Sequence, residues 1–410
     1  MQTFCLASIG CRTNQYEIQA LKSQLEALGC FQVERDADLC IVNTCSVTQG
    51  AESSSRRAIR SLIKHHPRAR VIITGCLALR SPETVRDIDG VDALIPEKEE
   101  IVHTLFPERP VPPFSISQFS EHTRAFVKVQ DGCNNFCSYC IIPYLRGRSR
   151  SRDVDGIVEE VRNLIKNGHQ EIVLTGIDVG DFNDNGRSLS DLVRILDNID
   201  GVKRLRISSI NPNQVDESMV EAILSGKNTC HSMHLVLQSG STKVLQQMRR
   251  LYTREQFIET VSLFRKQSAD FMFTTDVIVG FPGEQEEDFL QTLDLIKEVR
   301  FSKVHMFPYS ERPGTKAERL FDKVPSQTII KRKERLLEET ETISFDVRDR
   351  YVGKEVEVLT EESRDTQWLF GQTRNGLPVL LPRKDAQTNQ VIRVLLEKNE
   401  ACALLGSVIH

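Results

Sequence analysis

Short apolar runs alternate with amphipathic stretches of helical period through most of this chain, and that alternation admits few folds. In the first hundred residues the β-rich runs lie at 3–9, 39–42 and 71–74, with helical patterns at about 14–28 and 51–65 between them. A strand followed by a crossover helix returns to pair in parallel, so the pattern predicts a parallel α/β sheet. A second block carries strand candidates at 126–129, 171–174, 205–208, 234–237, 273–279 and 303–307, with helices such as 154–167 and 284–299 among them. Six β/α units suit a partial barrel, whose ligands gather at the carboxyl ends of the strands. The last sixty residues change character. Five short strand candidates, 355–359, 367–373, 378–381, 390–396 and 401–408, follow one another without helices and predict a small OB-like β-barrel.

Two breaks separate these blocks. Pro107-Glu108-Arg109-Pro110-Val111-Pro112-Pro113 can continue neither a helix nor a central strand, and reads as a linker. A long charged helix, 327–350, ends at Tyr351-Val352-Gly353-Lys354. The expected domains are therefore 1–113, a Rossmann- or flavodoxin-like sheet; 114–350, the barrel; and 351–410, the β domain. No apolar run approaches a membrane span and no basic leader precedes one, so a cytoplasmic protein without membrane contact is expected. A net charge of −4 gives no global attraction to nucleic acid, so RNA binding has to rest on local basic patches.

Eleven cysteines without a secretory signal point to metal or redox chemistry rather than a disulfide framework. Three of them, Cys133, Cys137 and Cys140, stand at CxxxCxxC spacing. Thiolates suit iron and zinc. A structural zinc site wants four protein ligands, and no fourth Cys or His lies close: His122 is upstream and His169 well downstream. A [4Fe-4S] cluster held by three thiolates instead leaves one iron open to an exogenous chelator. Cys11, Cys45 and Cys76 form a different kind of trio, each following a strand and preceding a helix. Such turns lie together at the carboxyl edge of a parallel sheet, where residues far apart in sequence converge, and Gly10 and Gly75 would let the backbone approach closely. These three read as a second three-thiolate cluster. Cys5, Cys30, Cys40, Cys230 and Cys402 read as ordinary buried thiols.

The CxxxCxxC loop resembles that of radical S-adenosylmethionine (SAM) enzymes, whose open iron binds the amino and carboxylate groups of SAM. Two open clusters, one in an N-terminal α/β domain and one in the barrel, resemble the radical SAM methylthiotransferase family over essentially the whole chain. Gly10-Cys11-Arg12-Thr13-Asn14-Gln15-Tyr16-Glu17 and Asn43-Thr44-Cys45-Ser46-Val47-Thr48 are most similar to the branch acting on N6-threonylcarbamoyladenosine at position 37 of tRNA. The resemblance implies two [4Fe-4S] clusters, one SAM as methyl donor and a second as radical source, and attachment of a methylthio group at C2 of the adenine. Polar acid–base catalysis has little to offer at that carbon, and the cofactors carry the hard steps. It also implies a tRNA substrate, an external electron donor such as a flavodoxin or ferredoxin, and a sulfur donor. Tyr139 and Gly280 with Gly283 are implied near the adenine of SAM, Gly176 near its amine, and Ser209 and Gln238 near its ribose or carboxylate. The chain departs from the branch at Asn211, where an acid is frequent, and at Val236, where proline is frequent.

Substrate contacts have thinner signals. Arg146, Arg148, Arg150 and Arg152 alternate after the cysteine loop, and Arg56, Arg57 and Arg60 lie on the helix after Cys45; both groups are expected to reach phosphates. The C-terminal segment resembles the TRAM domain, an RNA-binding module, with Trp368 and Phe370 read as barrel core in preference to base-stacking platforms. Methylthiolation of isopentenyladenosine or of a ribosomal-protein aspartate are alternative reactions. A noncatalytic iron–sulfur RNA-binding or redox-sensing protein is the alternative of another class, and it would need no SAM pocket.

Overall fold

The computed structural model describes residues 2–119 and 123–409; His122 lies outside the described residues. The N-terminal sheet holds five parallel strands, β1 (Thr3–Ser8), β2 (Phe31–Gln32), β3 (Leu39–Thr44), β4 (Arg70–Gly75) and β5 (Ala93–Leu94), in the order β2-β1-β3-β4-β5. That is the flavodoxin-like order, with its switch point between β1 and β3. Every residue of β3 is buried, as a central parallel strand covered on both faces should be. Helix α1 (Arg12–Ala27) starts directly after Cys11. Helix α2 (Gln49–His65) is capped by the Thr48 hydroxyl, which accepts from the Ala51 amide at 3.1 Å.

The central unit is a curved run of parallel strands. β6 (Arg124–Lys128) is followed by a short pair, β7 (Gln130–Asp131) with β8 (Arg150–Ser151), that closes the base of the cysteine loop. Next come β9 (Glu171–Thr175), the small hairpin of β10 (Asn183–Asp184) and β11 (Arg187–Ser188), β12 (Arg204–Ile207), β13 (Ser209–Ile210), β14 (Ser232–Leu235), β15 (Met272–Val279) and β16 (Lys303–Pro308). β12 pairs with β9 while β13 pairs with β14, so the third strand bends at Ser208 and carries the sheet round from β6-β9-β12 to β13-β14-β15-β16. Six β/α units are thus present. Phe257, Phe264, Phe271, Phe273, Phe289 and Phe301 are buried between strands and helices; truncating one such ring costs about 3–5 kcal/mol.

The lumen of this barrel is hollow. Along β15 the residues facing the helices, Phe273, Thr275, Val277 and Val279, are buried, whereas the inward Thr274, Asp276 and Ile278 are only half-buried. A filled barrel would show the inward set buried as well. The gap beside edge strand β6 is covered by α1: Tyr16 donates to Glu160 at 2.8 Å, and Glu17 pairs with Lys128 at 3.4 Å. The amino-terminal rim is sealed by the last unit. β17 (Glu355–Glu361), β18 (Trp368–Thr373), β19 (Pro378–Pro382), β20 (Val391–Asn399) and β21 (Leu404–Val408) close a barrel in the order β17-β18-β19-β21-β20. Arg124 pairs with Glu361 at 3.0 Å and Arg204 with Glu357 at 3.1 Å, both at the starts of their central strands.

Two expectations are corrected here. In β18 the core face is Leu369, Gly371 and Thr373, so Trp368 and Phe370 point outward, half-buried; the one-in-two period of the strand puts them on the opposite face. Cys402, expected to be buried, is exposed in the turn before β21, and Cys5 is only half-buried.

Candidate active site

The carboxyl edge of the N-terminal sheet meets the carboxyl end of the central barrel. Arg312 pairs with Glu52 at 3.3 Å and donates to the Ser46 carbonyl at 3.3 Å, joining the loop after β16 to the loop after β3. The short helix α3 (Cys76–Arg80) packs on Ile142–Leu145, immediately after Cys140. Both cysteine trios therefore lie on one interface.

In the N-terminal trio, Cys11, Cys45 and Cys76 follow β1, β3 and β4. Gly10 has a φ of +120°, and a Cβ there would stand 2.9 Å from the Cys45 Cβ; Gly75, at φ +88°, would meet Asn43 Oδ1 at 2.4 Å. Side chains at either position would push the thiol-bearing turns apart. Asn14 ties the turns together, its amide donating to the Ile9 carbonyl at 2.7 Å and the Thr44 carbonyl at 3.2 Å. Burial pushes the Cys45 thiol up to about 11, with further contributions from Cys76 and Cys11, and raises Cys76 as well.

The second trio lies on an irregular loop fixed at both ends. Gly132 has a φ of +73°, and a Cβ would stand 2.0 Å from the Arg148 carbonyl oxygen, so only glycine passes here. Buried Gln130 donates to the carbonyls of Asp131 and Gly132 and to Ser149, and its own oxygen accepts from the amides of Ile177 and Asp178. It staples the cysteine loop to the loop after β9. Ser138 anchors the far side, donating to the Gln247 carbonyl at 2.8 Å. Burial pushes Cys133 and Cys140 up to about 12.

These residues fit iron–sulfur ligation. All eleven cysteines are free thiols, and groups that burial keeps protonated become ligands when a metal core supplies the compensating positive charge. Donors are already aimed at the sulfurs: the Asn135 amide lies 3.4 Å from Cys133 Sγ, and Arg250 Nη1 lies 3.1 Å from Cys137 Sγ. Among the described residues no three His, Cys, Asp or Glu side chains crowd closely enough to hold a single ion. Thiolates of a cubane bind separate irons and stand farther apart.

The residues implied in SAM binding cluster around the same end of the barrel. Gly176 follows β9, and a Cβ on it would stand 2.8 Å from the Gln130 carbonyl oxygen. Ser209 is exposed in β13. Gln238, after β14, takes a left-handed φ of +63° and is held by bonds to the backbone of Asp276 and Ile278 on β15. Gly280 follows β15, and its amide donates to Glu284 at 2.8 Å. Gly283 lies beside Gln247. Tyr139 packs edge-on to Phe281 with ring centroids 6.4 Å apart.

The arginines separate into two groups. Arg148 and Arg150 are exposed after the cysteine loop, Arg148 over the Phe136 ring at 4.5 Å. Arg57 and Arg60 are exposed on α2, and Arg56 is half-buried near the Thr84 carbonyl. Arg146 and Arg152 are placed away from any phosphate path. Buried Arg146 donates to Glu17 at 2.8 Å, Asp131 at 3.0 Å and Asn14 at 2.7 Å. Arg152 donates to Glu160 and to Tyr16. Both guanidiniums tie α1 to the barrel, Arg146 through its ion pair with Glu17 and Arg152, itself paired with Glu160, through its hydrogen bond to Tyr16.

Two separate family models match this chain: the Radical SAM superfamily over residues 127–296 and the Uncharacterized protein family UPF0004 over residues 3–96. The threonylcarbamoyladenosine tRNA methylthiotransferase MtaB of Chlamydia pneumoniae is 42% identical over 419 aligned positions, covering 99% of this chain and 98% of the relative. The Bacillus subtilis (strain 168) protein of the same name is 33% identical, covering 97% and 94%. The chain belongs to the radical SAM tRNA methylthiotransferase family. It is a transferase that uses SAM and iron–sulfur chemistry. Also similar, at 33% identity over 99% of the chain and 91% of the relative, is the tRNA-2-methylthio-N(6)-dimethylallyladenosine synthase of Acetivibrio thermocellus. Among solved structures, the radical SAM methyltransferase TsrM of Kitasatospora setae matches with a TM-score of 0.58 at 15% identity, over 77% of each chain, a likeness of fold.

Three residues of this methylthiotransferase's site gave little warning in sequence. Asp178 accepts from Asn135 at 2.7 Å, Asn211 at 3.1 Å and Gln214 at 2.9 Å, with the Cys133 thiol 3.6 Å away, and burial raises its pKa. Its place just after β9 was the available signal. Asn135, inside the cysteine loop, had only its proximity. Arg250 bonds Cys137, Tyr252 and Asn211 and comes from a turn after a helix, where no pattern marks it. Asn211 stands between Asp178 and Arg250, so the departure noted there brings an amide to a position already served by a carboxylate and a cation.

Proposed function

We propose that this enzyme methylthiolates C2 of N6-threonylcarbamoyladenosine at position 37 of tRNA, with one SAM as methyl donor and a second as radical source. The observation that carries the reading is the meeting of two three-thiol trios, Cys11/Cys45/Cys76 and Cys133/Cys137/Cys140, on one interface at the mouth of a hollow barrel. Each trio would hold one [4Fe-4S] cluster with an open iron. When bound, the groups supply a carbon-centred radical from SAM at the barrel trio and a transferable sulfur at the N-terminal trio. The protein's own part is positioning and exclusion of water: Gln130 and Ser138 fix the cysteine loop, Asn14 joins the N-terminal turns, and α1 closes the barrel's open side against solvent. Gly176, Ser209, Gln238, Gly280 and Gly283 form the backbone-rich surface on which SAM would lie, with Tyr139 beside its adenine.

For the RNA, Arg148, Arg150, Arg57 and Arg60 remain free to meet phosphates, and outward-facing Trp368 lines a recess of about 470 Å³ with Arg383 and Lys384. Stacking beside cations is the chemistry of single-strand binding. Residues 1–113, 114–350 and 351–410 are read as the three domains of one cytoplasmic enzyme, served by a low-potential donor such as a flavodoxin or ferredoxin and by a sulfur donor. No helix among the described residues is long and apolar enough to cross a membrane. Isopentenyladenosine is the second reading, favoured by the relatives named for that nucleoside. The test is mass spectrometry of nucleosides after anaerobic turnover with SAM, reductant and tRNA bearing threonylcarbamoyladenosine. The 2-methylthio product supports the reading; a product from isopentenyladenosine tRNA alone overturns the choice of substrate.

A further inference from the structure

The residue after the first N-terminal cysteine, Arg12, opens α1, the helix that covers the gap beside β6. Its guanidinium lies over the Phe126 ring, 5.5 Å from the centroid. The side chain is exposed to water. This cation stands beside the hollow lumen described above. Among the described residues no carboxylate pairs with it. Glu171 on β9 and Asp276 on β15 are committed elsewhere, Glu171 to Arg206 at 2.9 Å and Asp276 to the His234 imidazole at 3.3 Å. Arg124 and Arg206 on the neighbouring strands each have a carboxylate partner; Arg12 lacks one.

A guanidinium without a carboxylate partner makes charge-assisted hydrogen bonds to an anion when one arrives. Adenine geometry says which anion. C2 and C6 both neighbour N1, so the N6 substituent leaves from the same edge that presents C2. A substrate offering C2 to sulfur near Cys11 therefore directs its N6 substituent toward the residue that follows Cys11. We infer that Arg12 binds the carboxylate of the N6 substituent inside the barrel lumen and so selects threonylcarbamoyladenosine over adenosines whose N6 group is uncharged. This rests on the substrate reading above and deepens it. His305 on β16 shares the lumen and is held toward its neutral form by burial and by Lys303, leaving a neutral donor or acceptor for the hydroxyl or ureido groups of the same substituent.

The test uses the anaerobically reconstituted full chain and three anticodon stem-loop RNAs, identical except at the target adenosine: the N6-threonylcarbamoyl acid, its methyl ester, and N6-isopentenyl. Dissociation constants and kcat/KM are measured for the wild type, Arg12→Gln and Arg12→Lys, with iron content taken alongside to verify the neighbouring Cys11 site. The wild type should prefer acid to ester by on the order of 100-fold, the range of a charged hydrogen bond. In Arg12→Gln that ratio should fall below about 5-fold, mostly through KM and the dissociation constant, and Arg12→Lys should recover part of it. If the wild type treats acid and ester alike, or Arg12→Gln weakens all three RNAs equally, the carboxylate assignment falls while the methylthiolation reading stands. If no threonylcarbamoyl RNA is turned over and only the isopentenyl RNA reacts, the substrate reading falls together with it.

Discussion

Replacing Glu17 with glutamine should loosen the joint between the N-terminal sheet and the barrel, and the size of the effect follows from its surroundings. The side chain is fully buried and bonded to Arg146 at 2.8 Å, Lys98 at 3.3 Å and Lys128 at 3.4 Å. Burial opposes its charge, but Lys98, Arg146 and Lys128 outweigh it and bring the carboxyl down from 4.5 to about 2. That difference corresponds to about 3 kcal/mol favouring the folded state, in keeping with the roughly 3–5 kcal/mol lost when one member of a buried ion pair is removed. The folded pKa is depressed, so this stability is present above the unfolded value and drains away as pH falls toward the folded one. At pH 3.5 the deficit of the Glu17→Gln variant should be about 1.4 kcal/mol smaller than at pH 7. Anaerobic denaturant titrations followed by circular dichroism measure both, using the first transition because a multidomain chain need not unfold in one step. Adding Arg146→Met should cost less than the sum of the two changes, with a coupling of about 2 kcal/mol. Additive effects, or a Glu17→Gln midpoint equal to the wild type, would refute the claim that this cluster holds the interface.

Two shorter predictions concern the cysteine loop and its thiols. Gly132→Ala places a Cβ 2.0 Å from a backbone oxygen at a left-handed φ, so the purified variant should lose the barrel's share of iron while the N-terminal share remains; full iron content would contradict the reading. Because burial holds Cys133 and Cys140 near 12 and Cys45 near 11, loading of iron into cluster-free protein should release protons and speed up as pH rises from 7 to 9. A pH-independent loading rate would mean that the thiols are already ionised.

The sequence pattern announced the sheets because their strands are separated by long helices with clear periodicity, and parallel pairing then follows. It also placed Cys11, Cys45 and Cys76 on one edge, since turns after parallel strands share that edge whatever lies between them. What it missed depends on contacts between units. Arg146 and Arg152 sit in an alternating basic run that resembles a phosphate-facing strip, yet Glu17 and Glu160, more than a hundred residues away or on a neighbouring helix, draw them inward. Arg250 reaches Cys137 from a turn that no local rule marks. Trp368 and Phe370 face away from the core they are expected to fill, because alternation in a short strand gives two faces but does not say which one meets the core; the buried partners Leu369 and Gly371 decide it.

The two-cluster arrangement is tested most directly by counting iron and sulfide in anaerobically reconstituted protein, with 5'-deoxyadenosine release as the second readout, for the wild type and for Cys11, Cys45 and Cys76 changed together to alanine. Two cubanes predict about eight irons in the wild type and about four in the variant, which should still cleave SAM but form no methylthio product. A variant that keeps all its iron would make the N-terminal thiols structural and methylthiolation at this interface the wrong account.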